Sequence, residues 1–445
     1  MWFQIIQKNN ISLIEELIDA GADVNSYDDD GDNALSALYI ASQEGATKIV
    51  KLLIDAGANI NDGGKEKIPP LYIACQNNHL QIAKLLIDAG ADINYCGGLN
   101  DVSPLCIACK LNHKKIVKLL INTNGVDLNR YHSNISCPLL LACIYYHENT
   151  DHNTDIIKLL IDAGADVNNT LNGKKISPLY MASERGYDSI AKLLIEAGAD
   201  PNLCKTEDPI PALCIASQEG YINIVNMLIE AGANVNQLSH NNSSSLYSAI
   251  CENHIEIAIK LIECGADINH ITIDLNEIEE FMPHINTIMT SAIRPIKEQF
   301  EILRPVFQKI RVCDDSMLII AIKKKYIEMI KLLINAGTDV NYQTNFGMNA
   351  LKCAIISGES QILNLLLNCK SIQIEKFNYK KTDIKQYGFY NKICTVCNED
   401  HGKKLLRCSN CEIVGYCSKT CQKKDWKEHK ICCNFFSKNK SNILS

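Results

Sequence analysis

The strongest constraint on the fold is a phrase that recurs along most of the chain, Leu-Ile-Asp-Ala-Gly-Ala-Asp-Val-Asn in its fullest form. Its glycine stands at positions 21, 57, 90, 125, 164, 198, 232, 265 and 337. Successive copies lie 33 to 39 residues apart, except for one interval of 72. A period of this length indicates a repeat architecture, in which each unit packs only against its neighbours.

Each period has the same internal pattern, which residues 95–129 illustrate. Ser103 is a good N-cap and Pro104 a good first helical residue, so a short first helix is expected from there. A second helix follows, with apolar residues at helical spacing between Ile116 and Ile121. Gly125 can take the left-handed conformation that ends a helix. The pattern predicts two helices and a polar hairpin per repeat.

A helix pair with a hairpin at this period resembles the ankyrin repeat. That family's Thr-Pro-Leu-His-x-Ala signature corresponds here to Pro70–Ala74, Pro104–Ala108 and Pro178–Ala182, with the histidine replaced throughout by Tyr, Cys, Leu or another residue. The resemblance implies an all-α repeat solenoid. Its hairpin tips and first helices would line one extended protein-binding surface, with variable positions at Tyr27, Asp28, Tyr95, Tyr131, Asn172, Lys205 and Tyr342.

We expect about ten repeats. About eight, the first a partial cap, occupy residues 1–269, and two more occupy residues 306–370. Residues 270–305 lack the signature and are either a degenerate repeat or a helical insertion. Residues 371–392 are expected to form a linker, residues 394–433 a metal-binding domain and residues 434–445 a flexible tail.

Charge and cysteine content both change near residue 370. Residues 1–370 carry 29 Lys and Arg against 44 Asp and Glu, whereas residues 371–445 carry 15 against 7. Thirteen of the 21 cysteines are scattered through the first part, and eight fall between Cys394 and Cys433. Scattered thiols in a reducing compartment are typical of buried packing residues, and dense ones are typical of metal ligands. An acidic array followed by a basic C-terminal tail that carries the clustered cysteines is therefore expected.

The clustered cysteines have strict spacing. Eight ligand-type residues form four close pairs: Cys394, Cys397, Cys408, Cys411, Cys417, Cys421, His429 and Cys433. Two tetrahedral zinc sites need this number of ligands. A disulfide scaffold could use the same cysteines, but it would require an oxidising compartment, and no secretion signal is evident. The spacing predicts two structural Zn²⁺ ions with no open coordination position.

The order of these residues resembles the MYND zinc finger. The resemblance implies interleaved sites: Cys394, Cys397, Cys417 and Cys421 would hold one ion, and Cys408, Cys411, His429 and Cys433 the other. Cys432 is left out because using it would shorten the last His-x3-Cys spacing. By the same resemblance, Ser409, Gln422 and Trp426 would line a groove for a proline-containing peptide, although Trp426 could instead pack under the last helix.

Some array residues allow a sharper interpretation. Cys106 and Cys109 form a Cys-x-x-Cys, but we expect small core residues there because serine replaces Cys109 in other repeats. Asp28, Asp30 and Asp32 resemble the start of a calcium loop that lacks the required glycine and glutamate. His147, Asp151 and His152 lie in a polar insertion, where a metal site is disfavoured.

The function expected is a non-enzymatic scaffold or adaptor, with the array binding one protein and the finger recruiting another. The alternatives are a ubiquitin-ligase-associated adaptor and a transcriptional co-repressor recruiter. Nucleic acid ranks below protein as a partner, and no membrane contact is expected. The expected location is cytoplasmic, with the nucleus as the alternative, and not secreted. The Ile, Asn and Lys usage resembles ankyrin proteins of large DNA viruses and of protists.

Overall fold

The computed structural model describes residues 2–27, 35–64, 67–97, 102–129, 137–145, 153–170, 176–203, 210–271, 315–344 and 347–372, together with the strand backbone at 406–407 and 415–416.

Ten helix pairs make up the described part of the array. The pairs are α1 (Trp2–Gln7) and α2 (Ile11–Asp19), α3 (Ala37–Gln43) and α4 (Thr47–Asp55), α5 (Pro70–Gln76) and α6 (Leu80–Asp88), α7 (Pro104–Lys110) and α8 (Lys114–Ile121), α9 (Pro138–Ile144) and α10 (Asn153–Asp162), α11 (Pro178–Arg185) and α12 (Asp188–Glu196), α13 (Ala212–Glu219) and α14 (Ile222–Glu230), α15 (Ser245–Cys251) and α16 (Ile255–Glu263), α17 (Met317–Lys323) and α18 (Ile327–Asn335), and α19 (Ala350–Ser357) and α20 (Ser360–Leu367). The predicted fold class, an all-α repeat solenoid, is confirmed.

The predicted helix signals act where the sequence places them. The Ser103 hydroxyl accepts a hydrogen bond of 3.2 Å from the backbone N–H of Cys106, and Pro104 opens α7. Gly125 follows the second helix with a φ of +86°, which costs glycine little because it has no Cβ. Ile116, Val117 and Leu120 of α8 are buried. Local sequence therefore determines where the helices of this repeat start and stop.

The repeats are joined along the hairpin side by asparagine side chains. The Asn94 Nδ2 donates a 2.7 Å hydrogen bond to the Gly125 carbonyl, and its Oδ1 accepts one of 2.8 Å from the Asp127 N–H. Equivalent bonds from Asn25, Asn168 and Asn236 reach the next repeat in the same way. Each such asparagine pairs one backbone carbonyl and one backbone N–H of the next repeat.

The described chain divides into two compact units. The first contains Met1–Ala212 and Met227–Ala233, and the second contains Leu213–Asn226 and Asn234–Ser445. Within the first unit, α3, α5, α7 and α9 pack in succession. Within the second unit, α15 packs against α17 and α16 against α18.

The repeats on either side of residues 272–314 are in direct contact. Besides the helix packing, the Asn269 Oδ1 accepts a 2.8 Å hydrogen bond from the Asp339 N–H, as between other adjacent repeats. Ile271 and Ser316 form an antiparallel bridge. The predicted segment 270–305 lies outside the described residues except for Ile271 and His270, whose Nε2 is 2.8 Å from the Asn242 carbonyl oxygen.

One short antiparallel hairpin is described beyond the array. Strand β1 (Leu406–Arg407) pairs with β2 (Gly415–Tyr416), and Leu406 lies opposite Tyr416. In sequence, Cys408 and Cys411 lie between these strands and Cys417 follows β2.

Candidate functional sites

Three of the variable positions predicted on the hairpins are described by the structure. Tyr27 is 49% exposed, whereas Tyr95 and Tyr342 are half-buried. Asp28, Tyr131, Asn172 and Lys205 lie outside the described residues. Among the three, only Tyr27 therefore offers an aromatic ring substantially open to a partner.

Tyr27 is held by the next repeat. Its hydroxyl donates a 3.1 Å hydrogen bond to the Asp62 Oδ1, and this bond raises the pKa of Tyr27. Asp62 also accepts a 3.0 Å bond from the Gly64 N–H. The tyrosine ring is thus oriented by a neighbouring carboxylate and presents a neutral phenol at neutral pH.

The first-helix position that carries histidine in the resembling family is occupied here by partly buried aromatic and thiol groups. Tyr39 is buried and Tyr72 is half-buried, and burial raises the pKa of Tyr72. Cys106 occupies the same position in the next repeat and is buried. This row is built for packing between repeats and offers little surface to a ligand.

The Cys-x-x-Cys of α7 is part of the core, as predicted. Cys106 and Cys109 are only 2% and 3% exposed. Burial raises the pKa of Cys106 to about 12 and raises that of Cys109 well above its usual value. A neutral thiol is a poor nucleophile and a poor metal ligand, so redox or metal chemistry is disfavoured here.

Among the described residues, no group of three or more His, Cys, Asp or Glu side chains could hold a metal ion. The acidic run Asp28, Asp30 and Asp32 and the polar insertion at His147, Asp151 and His152 lie outside the described residues. No described helix is both long enough and apolar enough to cross a bilayer.

The predicted zinc ligands all lie outside the described residues, as do Ser409, Gln422 and Trp426. Seven cysteines and one histidine form a donor set suited to Zn²⁺, which binds thiolate sulfur and imidazole nitrogen tetrahedrally. The β1–β2 pairing closes a hairpin around the Cys408-x2-Cys411 pair in sequence, an arrangement compatible with such a site.

Comparison with family models matches ankyrin repeats over residues 2–96, 71–171, 105–205, 179–272 and 291–378. These matches cover well over half of the chain. The chain belongs to the ankyrin-repeat family. A second model, the MYND finger, matches residues 394–433, so the protein also carries a MYND-type zinc finger. Both kinds of domain are protein-interaction modules.

Curated relatives share short stretches in the MYND region. The chain is 40% identical over 65 residues to SET domain and MYND-type zinc finger protein 6 of Schizosaccharomyces pombe, covering 14% of this chain and 13% of that protein. It is 46% identical over 54 residues to a SET and MYND domain-containing protein of Dictyostelium discoideum, covering 10% of each. It is 43% identical over 49 residues to the human histone-lysine N-methyltransferase SMYD3, covering 9% and 11%. The chain thus spans about a tenth of the length of these relatives.

A solved structure, the ankyrin repeat domain of Bcl-3, matches 51% of this chain and 99% of its own length. The sequence identity is 24% and the TM-score is 0.44.

The sequence interpretation missed the role of the recurring hairpin asparagine. Asn25, Asn94 and Asn168 each bond across the repeat boundary with both ends of the amide. The available signal was the recurrence of an asparagine four residues after the phrase's glycine, at every one of the nine copies.

Proposed function

We propose that this protein is an adaptor whose ankyrin array binds one protein while its MYND finger recruits another. The observation that carries the proposal is the presence of two interaction modules in one chain, an acidic array and a finger within a basic C-terminal segment. The two modules differ in fold and in charged surroundings, so they suit different partners. The MYND matches to SET-domain proteins span too little of those relatives to bring their activity here, and we propose no enzymatic activity.

Affinity capture from the native cell, followed by mass spectrometry, tests this division. The intact chain is compared with Cys408→Ser, which removes a predicted zinc ligand, and with the matched control Cys264→Ser, an exposed thiol of the array. We expect the first variant to lose one set of proteins and keep another, and the control to keep both. If Cys408→Ser loses no partner, the finger does not recruit.

We further propose that the finger holds two zinc ions through the eight ligands predicted above. Some 40 residues build only a small apolar core, so metal binding should be inseparable from folding. Native mass spectrometry should find two Zn²⁺ per chain in the intact protein and in Cys264→Ser, and fewer in Cys408→Ser. One ion in the intact chain would contradict the proposed ligand set.

The peptide groove is the finer part of the proposal. Trp426, with Ser409 and Gln422, would anchor a short proline-containing peptide, because an exposed indole is a strong apolar contact. Trp426→Ala should then weaken capture of the finger's partners while two zinc ions remain bound. Loss of zinc in that variant would indicate that Trp426 supports the metal site instead.

We also propose that residues 272–314 are an insertion between two adjacent repeats and not a repeat. The family match from residue 291 includes part of this segment, but α15 and α16 pack directly on α17 and α18, which leaves no repeat position between them. Replacing the segment with a short Gly-Asn turn should therefore preserve the urea midpoint of the array. A collapse of that midpoint would show that the segment belongs to the stack.

The cysteines of the array are relevant to the cellular compartment in which the protein acts. Among the cysteines that the structure describes in the array, none forms a disulfide bond, which suits a reducing compartment. We propose the cytoplasm or the nucleus as the place of action.

A further inference from the structure

Two adjacent repeats of the first unit expose a large apolar side chain at the same position. Leu111 directly follows α7 and is 40% exposed, and Tyr145 directly follows α9 and is 39% exposed. The equivalent residues in the two preceding repeats are Glu44 and Asn77, which are polar. Keeping the array soluble therefore does not account for Leu111 and Tyr145.

The lysine that precedes Leu111 contacts Tyr145 of the next repeat. The Lys110 Nζ lies 5.1 Å from the centre of the Tyr145 ring, over its face, so this lysine reaches from the third full repeat to the fourth. A cation in this position is attracted by the negative face of the ring. Lys110 is itself exposed. The apolar pair is consequently bordered by a positive charge held in place.

Two further lysines follow Leu111 at the start of the second helix of the same repeat. Helix α8 starts with Lys114 and Lys115 and has no acidic residue in its first turn, although the helix N-terminus is already partly positive. Lys114 forms an ion pair with Asp155 of the next repeat, and Lys115 is exposed. Residues 102–129 carry four lysines against one aspartate, in an array with a large acidic excess.

We propose that Lys110, Leu111, Lys115 and Tyr145, the Leu111 patch, form a docking surface for an acidic peptide segment of a partner protein. This inference rests on the proposed function of the array and names where its partner binds. A large apolar side chain of the peptide would contact Leu111 and Tyr145, and neighbouring carboxylates would face Lys110 and Lys115. The acidic excess of the array as a whole repels a long polyanion, so a short acidic segment fits better than nucleic acid.

A displayed library of short random peptides, selected on the full chain, tests the patch. We expect selected peptides to combine Asp or Glu with a large apolar residue. By fluorescence anisotropy, Leu111→Ser and Lys115→Glu should each weaken these peptides about tenfold. Selection on Lys115→Glu should no longer favour acidic sequences. Circular dichroism and the urea midpoint should match the wild type, because both side chains are exposed.

Two matched controls make the test specific. Lys48 occupies in α4 the position that Lys115 occupies in α8, and it is exposed. Ile259 is 40% exposed on α16, in the second unit. Lys48→Glu and Ile259→Ser should leave peptide affinity unchanged.

Three outcomes would overturn the patch: no peptide enriched, selected peptides that are basic, or preferential binding of an RNA probe lost in Lys115→Glu. Acidic peptides that bind the array but tolerate Leu111→Ser and Lys115→Glu would also overturn it. That last result would leave the proposed function of the array intact, since the array would bind a protein segment elsewhere.

Discussion

At the scale of single residues, neighbouring repeats are fitted together by a glycine and a histidine. Gly45 has a φ of +73°, and a Cβ added there would lie 2.8 Å from the His79 ring. The His79 Nε2 is 3.1 Å from the Gln43 carbonyl oxygen. Gly220 and His254 repeat the arrangement in the second unit, where the added Cβ would lie 2.6 Å from the ring. In both arrangements the imidazole occupies the space that a Cβ on the glycine of the preceding repeat would need.

Because the His79 ring lies so close to Gly45, we predict that Gly45→Ala destabilises the array. Gly57 also has a positive φ, of +84°, but nothing lies within 4 Å of an added Cβ. Gly57→Ala should cost about 1–2 kcal/mol of stability from the left-handed backbone alone, and Gly45→Ala should cost more. Urea denaturation measures both. His79→Ala should recover part of the Gly45→Ala loss, and equal losses at the two glycines would contradict the role given to His79.

Buried thiols should make the array sensitive to alkaline pH. Burial raises the pKa of Cys106 and Cys353 to about 12 and that of Cys137 to about 11, from a usual value of 9.0. Such thiols stay neutral in the folded protein, whereas they ionise in the unfolded chain above about pH 9. Their stabilising contribution is therefore fully present below pH 9 and is lost as the pH rises toward the folded pKa.

The expected slope is about 1.4 kcal/mol per pH unit for each such thiol in this range. Measuring the free energy of unfolding between about pH 8 and about pH 10.5 in the intact chain and in Cys106→Ala tests this. The variant should show a shallower decline. The exposed Cys264 is the control, and Cys264→Ser should decline as the intact chain does.

At the scale of helices and hairpins, a hairpin asparagine such as Asn94 connects its repeat to the next one through two hydrogen bonds. Substituting one asparagine therefore tests a single repeat boundary. Asn94→Ala removes the bonds to Gly125 and Asp127 together. We expect a loss of about 1–3 kcal/mol in the free energy of unfolding. Asn122→Ala, at the exposed C-cap of α8, should cost far less. Similar losses for the two variants would show that the cross-repeat bonds contribute little.

Sequence predicted the helix pairs because their start and stop signals act within a single turn. Ser103, Pro104 and Gly125 determine their own local geometry. The Asn94 bonds and the Leu111 patch join residues more than thirty positions apart, so no local pattern shows them. Local sequence also did not show what replaces the family's histidine. Tyr72 and Cys106 occupy that position here and pack between repeats.

At the scale of the whole molecule, the acidic array and the basic C-terminal segment, residues 371–445, have opposite charge. Zinc binding reduces this difference, because seven thiolates outweigh two Zn²⁺ by about three negative charges. The segment then keeps an excess of about five positive charges. Zinc ligand residues and ion number were predicted from spacing alone, and they stay predictions because those residues lie outside the described part of the chain.

The central claim is that one chain holds two proteins at once, and sequential capture measures this most directly. A protein found to bind the array is immobilised, loaded with the full chain, and then offered a protein found to bind the finger. We predict that the second protein is retained only when the chain is present, and that a zinc chelator releases it while the chain stays bound. Competition between the two proteins for the chain, or release of the chain itself by the chelator, would contradict the adaptor.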